Sequence, residues 1–241
     1  MKDIVLPGTS LCAIIRDEII NPAGGIKRFL ASVMPHVERA VIVDTGSIDG
    51  TREILEEAKK DFPHLEIYDS KFEGYAEARN FSLSKSRTDR ALILDADELI
   101  LQEDYVRLRR EIESNSNHNI SLLFKDALEI CDVPSDGFNP RLVMNNINLK
   151  LVGRPGHHWH WEEFEGKRYL KIHECGVPIY HFKTSSGAYQ IKYDNWYDSP
   201  TVPDFAPSQA GSFIKWKKFN PRRNNYKGSN LDNPEDFSIA A

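Results

Sequence analysis

Short apolar runs alternate with helical patterns over the first hundred residues. Leu11 to Ile15, Val41 to Asp44, Leu65 to Tyr68 and Ala91 to Asp95 each read as a buried strand. Between the first two, Ile26, Phe29, Leu30, Val33, Met34 and Val37 recur with the spacing of an amphipathic helix. Pro35 is expected to distort or end its last turn, because it lacks an N–H and its ring clashes with the preceding turn. Ile54, Leu55, Ala58 and Phe62 mark a second helix, with Asp49 or Thr51 as its cap and Glu53 in its first turn. Tyr75 to Lys85 reads as a third. This alternation predicts a mostly parallel sheet with helices on both faces. Ligands of such sheets bind outside the carboxyl ends of the strands, where Arg16, Asp44 and Asp95 fall.

The pattern then changes. Tyr105, Leu108 and Ile112 predict one more helix, ending near the polar run Ser114 to Asn117. After it the signal is strand-like at Ile120 to Phe124, Arg141 to Met144, Leu149 to Val152, Arg168 to Ile172 and Val177 to His181. Residues 184–241 are rich in Pro, Asn, Ser and aromatics and show little periodicity. The expected organisation is a domain over 1–183, with a nucleotide-binding half at 9–100 and a mixed-strand half at 101–183. Residues 184–241 form an extension on or near it.

Composition narrows the class. The 241 residues are 40% hydrophobic and 28% charged, ordinary values for a globular chain. A net charge of −5 gives no global reason to expect nucleic-acid binding. No apolar run approaches the ~20 residues that span a bilayer, and Met1 to Ser10 lacks a signal-peptide pattern. Cys12, Cys131 and Cys175 are odd in number and widely spaced, which fits a reducing cytoplasm better than a disulfide framework. Cys12 reads as a small buried hydrophobe.

The candidate chemistry begins at Asp95-Ala96-Asp97-Glu98. If the strand continues to Asp97, alternation puts Asp95 and Asp97 on one face. Like charges that close repel, and a divalent cation with hard oxygen ligands relieves them. Asp-x-Asp at a strand end thus points to a metal site for a phosphorylated substrate. A solvated turn after a core strand is the plainer alternative.

Four pieces in order extend this reading: Arg16-Asp17-Glu18, the turn Asp44-Thr45-Gly46-Ser47-Ile48-Asp49-Gly50-Thr51, Ala78-Arg79-Asn80, and Asp95-Ala96-Asp97-Glu98. In that order and spacing the chain resembles the family 2 glycosyltransferases, over roughly residues 9–100 well and 140–185 loosely. The resemblance implies the A-type (GT-A) fold, an α/β architecture with a Rossmann-like, mostly parallel sheet flanked by helices and a mixed-strand acceptor half. It implies a nucleotide-diphosphate sugar as donor and Mn²⁺ or Mg²⁺ as cofactor. By the same resemblance Asp44 contacts the nucleotide base, Arg16 and Arg79 help hold the nucleotide, Asp95 with Ala96 takes the ribose, and Asp97 binds the metal. Arg79 has a structural alternative, a salt bridge to Glu77 or Asp95.

Gly153 to Glu163 is a second hot spot, with three histidines, two tryptophans and two glutamates in seven residues from His157. The family often carries Gly-x-x-His-Glu here; this chain has His157-His158, one residue further from Gly153. His158 or His157 is the expected further metal ligand, and Trp159 or Trp161 would stack on a sugar. Zinc is another reading of the cluster, although no Cys stands at ligand spacing. Glu163 and Glu162 are the candidate bases, because an inverting transferase needs a carboxylate within reach of the acceptor hydroxyl. Glu98 and Glu174 are alternatives, and His181 matches a family position near the metal loosely. From Gly211 to Gly228 six Lys or Arg interleave with aromatics and no acid. This stretch reads as a basic face, an acceptor lip or a peripheral membrane-surface contact.

The sequence therefore predicts a metal-assisted, inverting transfer of a sugar to an acceptor hydroxyl, on a glycan or a lipid-linked saccharide. Two rivals are a sugar-nucleotide nucleotidyltransferase and a non-catalytic carbohydrate- or nucleotide-binding protein of the same fold. The first usually carries a Gly-rich, basic loop after the first strand, which Arg16 to Ile20 does not resemble.

Overall fold

The computed structural model describes residues 4–19, 25–126, 137–145, 149–153, 162–165 and 171–181. Four strands are parallel neighbours in the order β3-β2-β1-β4: β1 (Thr9–Ile15), β2 (Arg39–Asp44), β3 (Leu65–Asp69) and β4 (Arg90–Ile93). Three helices connect them: α1 (Ile26–Val33), α2 (Thr51–Ala58) and α3 (Tyr75–Lys85). All four strands therefore end at one edge, the expected place for a ligand.

Alternation along β1 explains the two-layered core. Leu11, Ala13 and Ile15 face one way, joined by Phe29, Leu30 and Val33 of α1 and Leu55 of α2. Cys12 faces the other way, with Val41, Ala91 and Ile93 and with Ala76 and Leu83 of α3. Burying a side chain such as Phe29 contributes about 1.5–3 kcal/mol. Cys12 is the inert, buried thiol expected of it; burial pushes its pKa up to about 12. Pro35 acts as predicted: α1 stops at Val33 and a single 3₁₀ turn, Met34–His36, follows.

The remaining strands are β5 (Glu98–Leu99), β6 (Asn119–Asp126), β7 (Gly137–Met144), β8 (Leu151–Gly153), β9 (Glu162–Phe164) and β10 (Ile172–His181), with α4 (Gln102–Ser114) before β6. The large sheet runs β3-β2-β1-β4-β7-β6-β10-β5. β7 is antiparallel to β4 and β6, β10 is parallel to β6, and β5 is antiparallel to β10. β8 and β9 form a separate ribbon. One sequence expectation changes. The last expected run, Val177 to His181, is the end of a longer strand whose register shifts between Cys175 and Pro178. Of the run Arg168 to Ile172, residues 168–170 lie outside the described residues, and Ile172 is the first residue of β10. The extension at 184–241 lies outside the described residues.

One connection controls the architecture. β5 follows β4 in the chain after Leu94–Asp97, yet it pairs at the other end of the sheet order. Four strand spacings of ~4.8 Å amount to roughly 19 Å in a flat sheet. The five Cα steps from Ile93 to Glu98 reach at most ~18 Å. They reach less here, because Glu98 N–H turns back onto the Asp95 carbonyl at 2.9 Å. The mixed half must therefore curl, and residues 94–97 form a strap across the carboxyl edge.

Candidate active site

The ends of β1 and β2 interlock. Asp17 has a left-handed backbone, φ 51°, which Asp tolerates better than most residues. Its Oδ1 accepts from Ile48 N at 2.8 Å and its N–H donates to Ser47 Oγ at 3.1 Å. Thr51 Oγ1 accepts from Glu18 N at 2.8 Å, and Asp49 Oδ2 from Ile19 N at 2.8 Å. Gly50 occupies the helix-entry position at φ 97°, where a Cβ would be strained and would meet Ile19 Cδ1 at 3.2 Å. Neither expected cap residue sits at that position, but Asp49 Oδ1 accepts from Thr51 N at 2.9 Å. Arg16, at the end of β1, has Nε 3.7 Å from Asp17 Oδ2.

Asp44 is buried at the end of β2. Its Oδ1 accepts from Gly46 N at 3.0 Å and Ser47 N at 2.8 Å, so this oxygen shapes its own turn. Its Oδ2 lies 4.0 Å from Arg52 Nη1, and the same nitrogen pairs with Asp69 at the end of β3. Arg52 also donates from Nε to Glu56 Oε1 at 3.0 Å.

The strap does not continue the strand, and this corrects the alternation argument. Asp95 N donates to Glu98 Oε2 at 3.0 Å, closing the turn from the opposite side to the Glu98-to-Asp95 backbone bond. The two aspartates consequently meet different partners. Asp95 pairs with Arg79 of α3, whose side chain is only 4% exposed, and lies 3.9 Å from Arg141 of β7. Asp97 lies 3.7 Å from His181 Nε2, at the end of β10. Arg79 thus makes the Asp95 salt bridge weighed as its alternative, at the place where the nucleotide role was expected. Ala96 sits in the large core cluster, so its side chain is spent on packing.

Electrostatics separates the acids further. Burial opposes ionisation of Asp95, but Arg79 and Arg141 outweigh it and hold the pKa at about 2. Glu98 is driven the other way, to about 7, by burial and by the charges of Asp95 and Asp97, against the pull of Arg141. Arg28 of α1 belongs to the same neighbourhood. Burial lowers its pKa to about 10, opposed by Asp97 and Glu18.

The candidate bases fare differently. Glu98 pairs with Arg141 and has a side chain only 1% exposed, which removes it as a base reaching an acceptor. Glu174 pairs with Ser121 at the start of β10, the opposite end of that strand from His181, and is not part of this site. Glu162 and Glu163 lie in β9, beside Gly153 and Val152 of β8. Asn80 ties this ribbon to α3, next to Arg79. Its Nδ2 donates to Leu151 O at 2.7 Å, and its Oδ1 accepts from Leu151 N at 2.8 Å. His157, His158, Trp159 and Trp161 lie outside the described residues, as does the basic stretch from Gly211 to Gly228.

Sequence reasoning passed over three cations of this site: Arg28, Arg52 and Arg141. For Arg141 there was a signal, a charge opening the otherwise apolar run Leu142-Val143-Met144.

No three His, Cys, Asp or Glu among the described residues form a group able to hold a metal. What the strap presents is a pair, Asp97 and His181. The carboxylate suits a hard cation that takes its remaining ligands from substrate phosphates and water, whereas the imidazole is a donor for first-row transition metals rather than for Mg²⁺.

A helix-covered parallel sheet, with acids and arginines gathered at its carboxyl edge and a mixed half curled beside it, is the architecture that the family resemblance implies. Residues 19–125 match the family model Glycosyl transferase family 2, the family that the sequence resembles. A TPR repeat-containing protein of Synechococcus elongatus is 36% identical over 148 residues, 61% of this chain and 34% of that protein. S. aureus TarS is 19% identical over 53% of this chain and 23% of its own, with a TM-score of 0.44. TarS 1–349 in complex with UDP gives the same score and identity over 38% of that chain. The chain thus spans between 23% and 38% of the lengths of these proteins. No helix of the described residues is long and apolar enough to cross a membrane.

Proposed function

We propose that this glycosyltransferase takes its sugar from a nucleoside-diphosphate donor and passes it to an acceptor hydroxyl with inversion, assisted by Mn²⁺ or Mg²⁺. The observation that carries the reading is the convergence of Asp44, the Arg79–Asp95 pair and the Asp97–His181 pair at one sheet edge. Asp44 Oδ2 accepts a hydrogen bond from the base, its other oxygen being committed to the turn. Asp95, kept ionised by its arginines, accepts from the ribose hydroxyls. Arg79 adds positive charge beside the nucleotide. Asp97 and His181 hold the cation, with His158 as the further ligand expected from sequence. The cation supplies charge stabilisation for the departing diphosphate. Glu163, with Glu162 as second choice, takes the proton of the attacking hydroxyl. The acceptor is a saccharide or lipid-linked saccharide, met by the mixed half and the basic C-terminal stretch.

The test is binding followed by product analysis. UDP, GDP and dTDP are titrated with and without Mn²⁺ while the melting temperature is followed. Binding to the folded state raises it by linkage. One of the three is expected to do so in a metal-dependent way, and the corresponding sugar donor should release nucleoside diphosphate. Release of pyrophosphate would instead select a nucleotidyltransferase, and no shift for any ligand would defeat the donor reading.

A further inference from the structure

Arg141 joins the two halves of the site. It stands on β7, in the mixed half, and meets Asp95 on the strap that leaves the parallel half and Glu98 in β5, where the strap ends. A single nitrogen, Nη2, serves both: it donates to Glu98 Oε1 and lies 3.9 Å from Asp95 Oδ2. Glu98 in turn accepts the Asp95 N–H at 3.0 Å. Asp95 is thus gripped from three sides, by Arg79 of α3, by Arg141 of β7, and through its own backbone by Glu98. The guanidinium packs over the Phe124 ring at 5.8 Å, and that ring lies 4.9 Å from the His181 ring. The contacts of Arg141 therefore extend toward the residue that faces Asp97.

We infer that Arg141 is a positioning residue for the donor site. It anchors the strap to the mixed half, so that the Asp95 carboxylate and the Asp97–His181 pair are presented together to the nucleotide and its cation. The inference rests on the donor reading above. A purely structural role for Arg141 is the competing account, in which the guanidinium only compensates the buried Glu98 charge. The two accounts make opposite predictions when that charge is removed as well. Breaking a buried pair by removing one partner strands the other charge, whereas removing both charges avoids that cost.

The experiment uses the full 241-residue chain and four forms: wild type, Glu98→Gln, Arg141→Met and the double variant. Melting temperature without ligand reports the fold; affinity for UDP, GDP and dTDP with Mn²⁺ reports the site. Arg141→Met is expected to lower the melting temperature, and the double variant to recover it. Glu98→Gln keeps Arg141 beside Asp95 and one acceptor oxygen for the Asp95 N–H, so it should bind more tightly than the double variant. The double variant should still bind the nucleotide roughly 10-fold or more weakly, as happens when the groups orienting a site are removed. Wild-type affinity in the double variant would overturn the positioning role. So would a double variant as unstable as Arg141→Met, since Arg141 would then be supporting the fold as a whole. A wild-type chain that binds none of the three ligands fails the donor reading itself, and the inference falls with it. A wild type that binds while the double variant binds equally well fails Arg141 alone.

Discussion

Asp97, on the strap after β4, lies 3.7 Å from Nε2 of His181 at the end of β10. Each side chain is 21% exposed, so the pair is sheltered but open to a ligand. β4 and β10 are not neighbours; β7 and β6 lie between them. Only the strap, by pairing Glu98 with His181 in β5 and β10, brings these two donors together.

If the pair holds a cation, Asp97→Asn and His181→Ala should each weaken metal binding by ~10-fold or more. Asp97→Asn should remain folded, since removing one charge from an acidic cluster relieves repulsion in the metal-free protein. Nucleotide affinity titrated against Mn²⁺ reads the effect. An unchanged metal requirement in both variants would remove the assignment. Asp95→Asn should behave differently, weakening nucleotide binding even at saturating Mn²⁺.

Asp44 holds its turn through Oδ1, so the proposed contact to the base falls to Oδ2, 4.0 Å from Arg52 Nη1. Asp44→Ala leaves Gly46 N and Ser47 N without their acceptor and should cost about 1–2 kcal/mol in denaturant unfolding. Asp44→Asn retains one acceptor oxygen and should unfold nearly as wild type. Its nucleotide affinity should nevertheless fall, and calorimetric titration with the nucleotide identified above separates the two effects.

The acids of the strap set the pH response. Glu98 has a folded-state pKa of about 7 against an ordinary 4.5, so the folded protein holds its proton more tightly. Its stabilising contribution is complete below pH 4.5 and is lost as pH rises through about 7. Asp95 has the opposite sign: its contribution is present above pH 3.8 and lost as pH falls through about 2. Unfolding free energy measured between pH 4.5 and 7 should therefore decline less steeply in Glu98→Gln than in wild type. Equal slopes would contradict the direction assigned to Glu98.

Asn80 and Leu151 exchange two hydrogen bonds, so Asn80→Ala should loosen the β8–β9 ribbon from α3. The expected cost is about 1–2 kcal/mol. Faster amide exchange at Leu151, with exchange in β1 unchanged, would locate the loss there. Asn80→Ala indistinguishable from wild type at Leu151 would contradict it.

Replacement of the candidate base tests the chemistry. Glu163→Gln should lower turnover by ~10²-fold or more while nucleotide affinity stays close to wild type. Glu162→Gln is the control and the second choice. Full turnover in both would move the base to a residue outside β9.

Much of the parallel half was legible because its signals are local. The periodicities of α1 and α2 and the apolar runs of β1 to β4 lie within single segments, and Pro35 marks the end of α1 where its ring predicts. The strap was not legible. β5 has two residues and therefore no pattern of its own, and its pairing with Tyr180 and His181 is set by the distant course of β10. Extending the strand through Asp95 led to a shared face for Asp95 and Asp97, which the turn closed by Glu98 abolishes. Arg141 could be read as a strand residue, but its charge partners could not, because they follow β4 in the chain and meet Arg141 only in the folded sheet. Glu174 was placed too close for the same reason: β10 runs its full length away from the site before reaching it.

The strap between Ile93 and Glu98 also works as a ruler. Its four residues bridge a curled half-sheet through one hydrogen-bonded turn. Its length is constrained as well as its two aspartates. One added residue would let β5 slide against β10, and a slip of one position turns every side chain of a strand to the opposite face. Change between Ile93 and Glu98 should therefore be strict in length as well as at Asp95 and Asp97. Insertions are better tolerated in surface connections that carry no such tether.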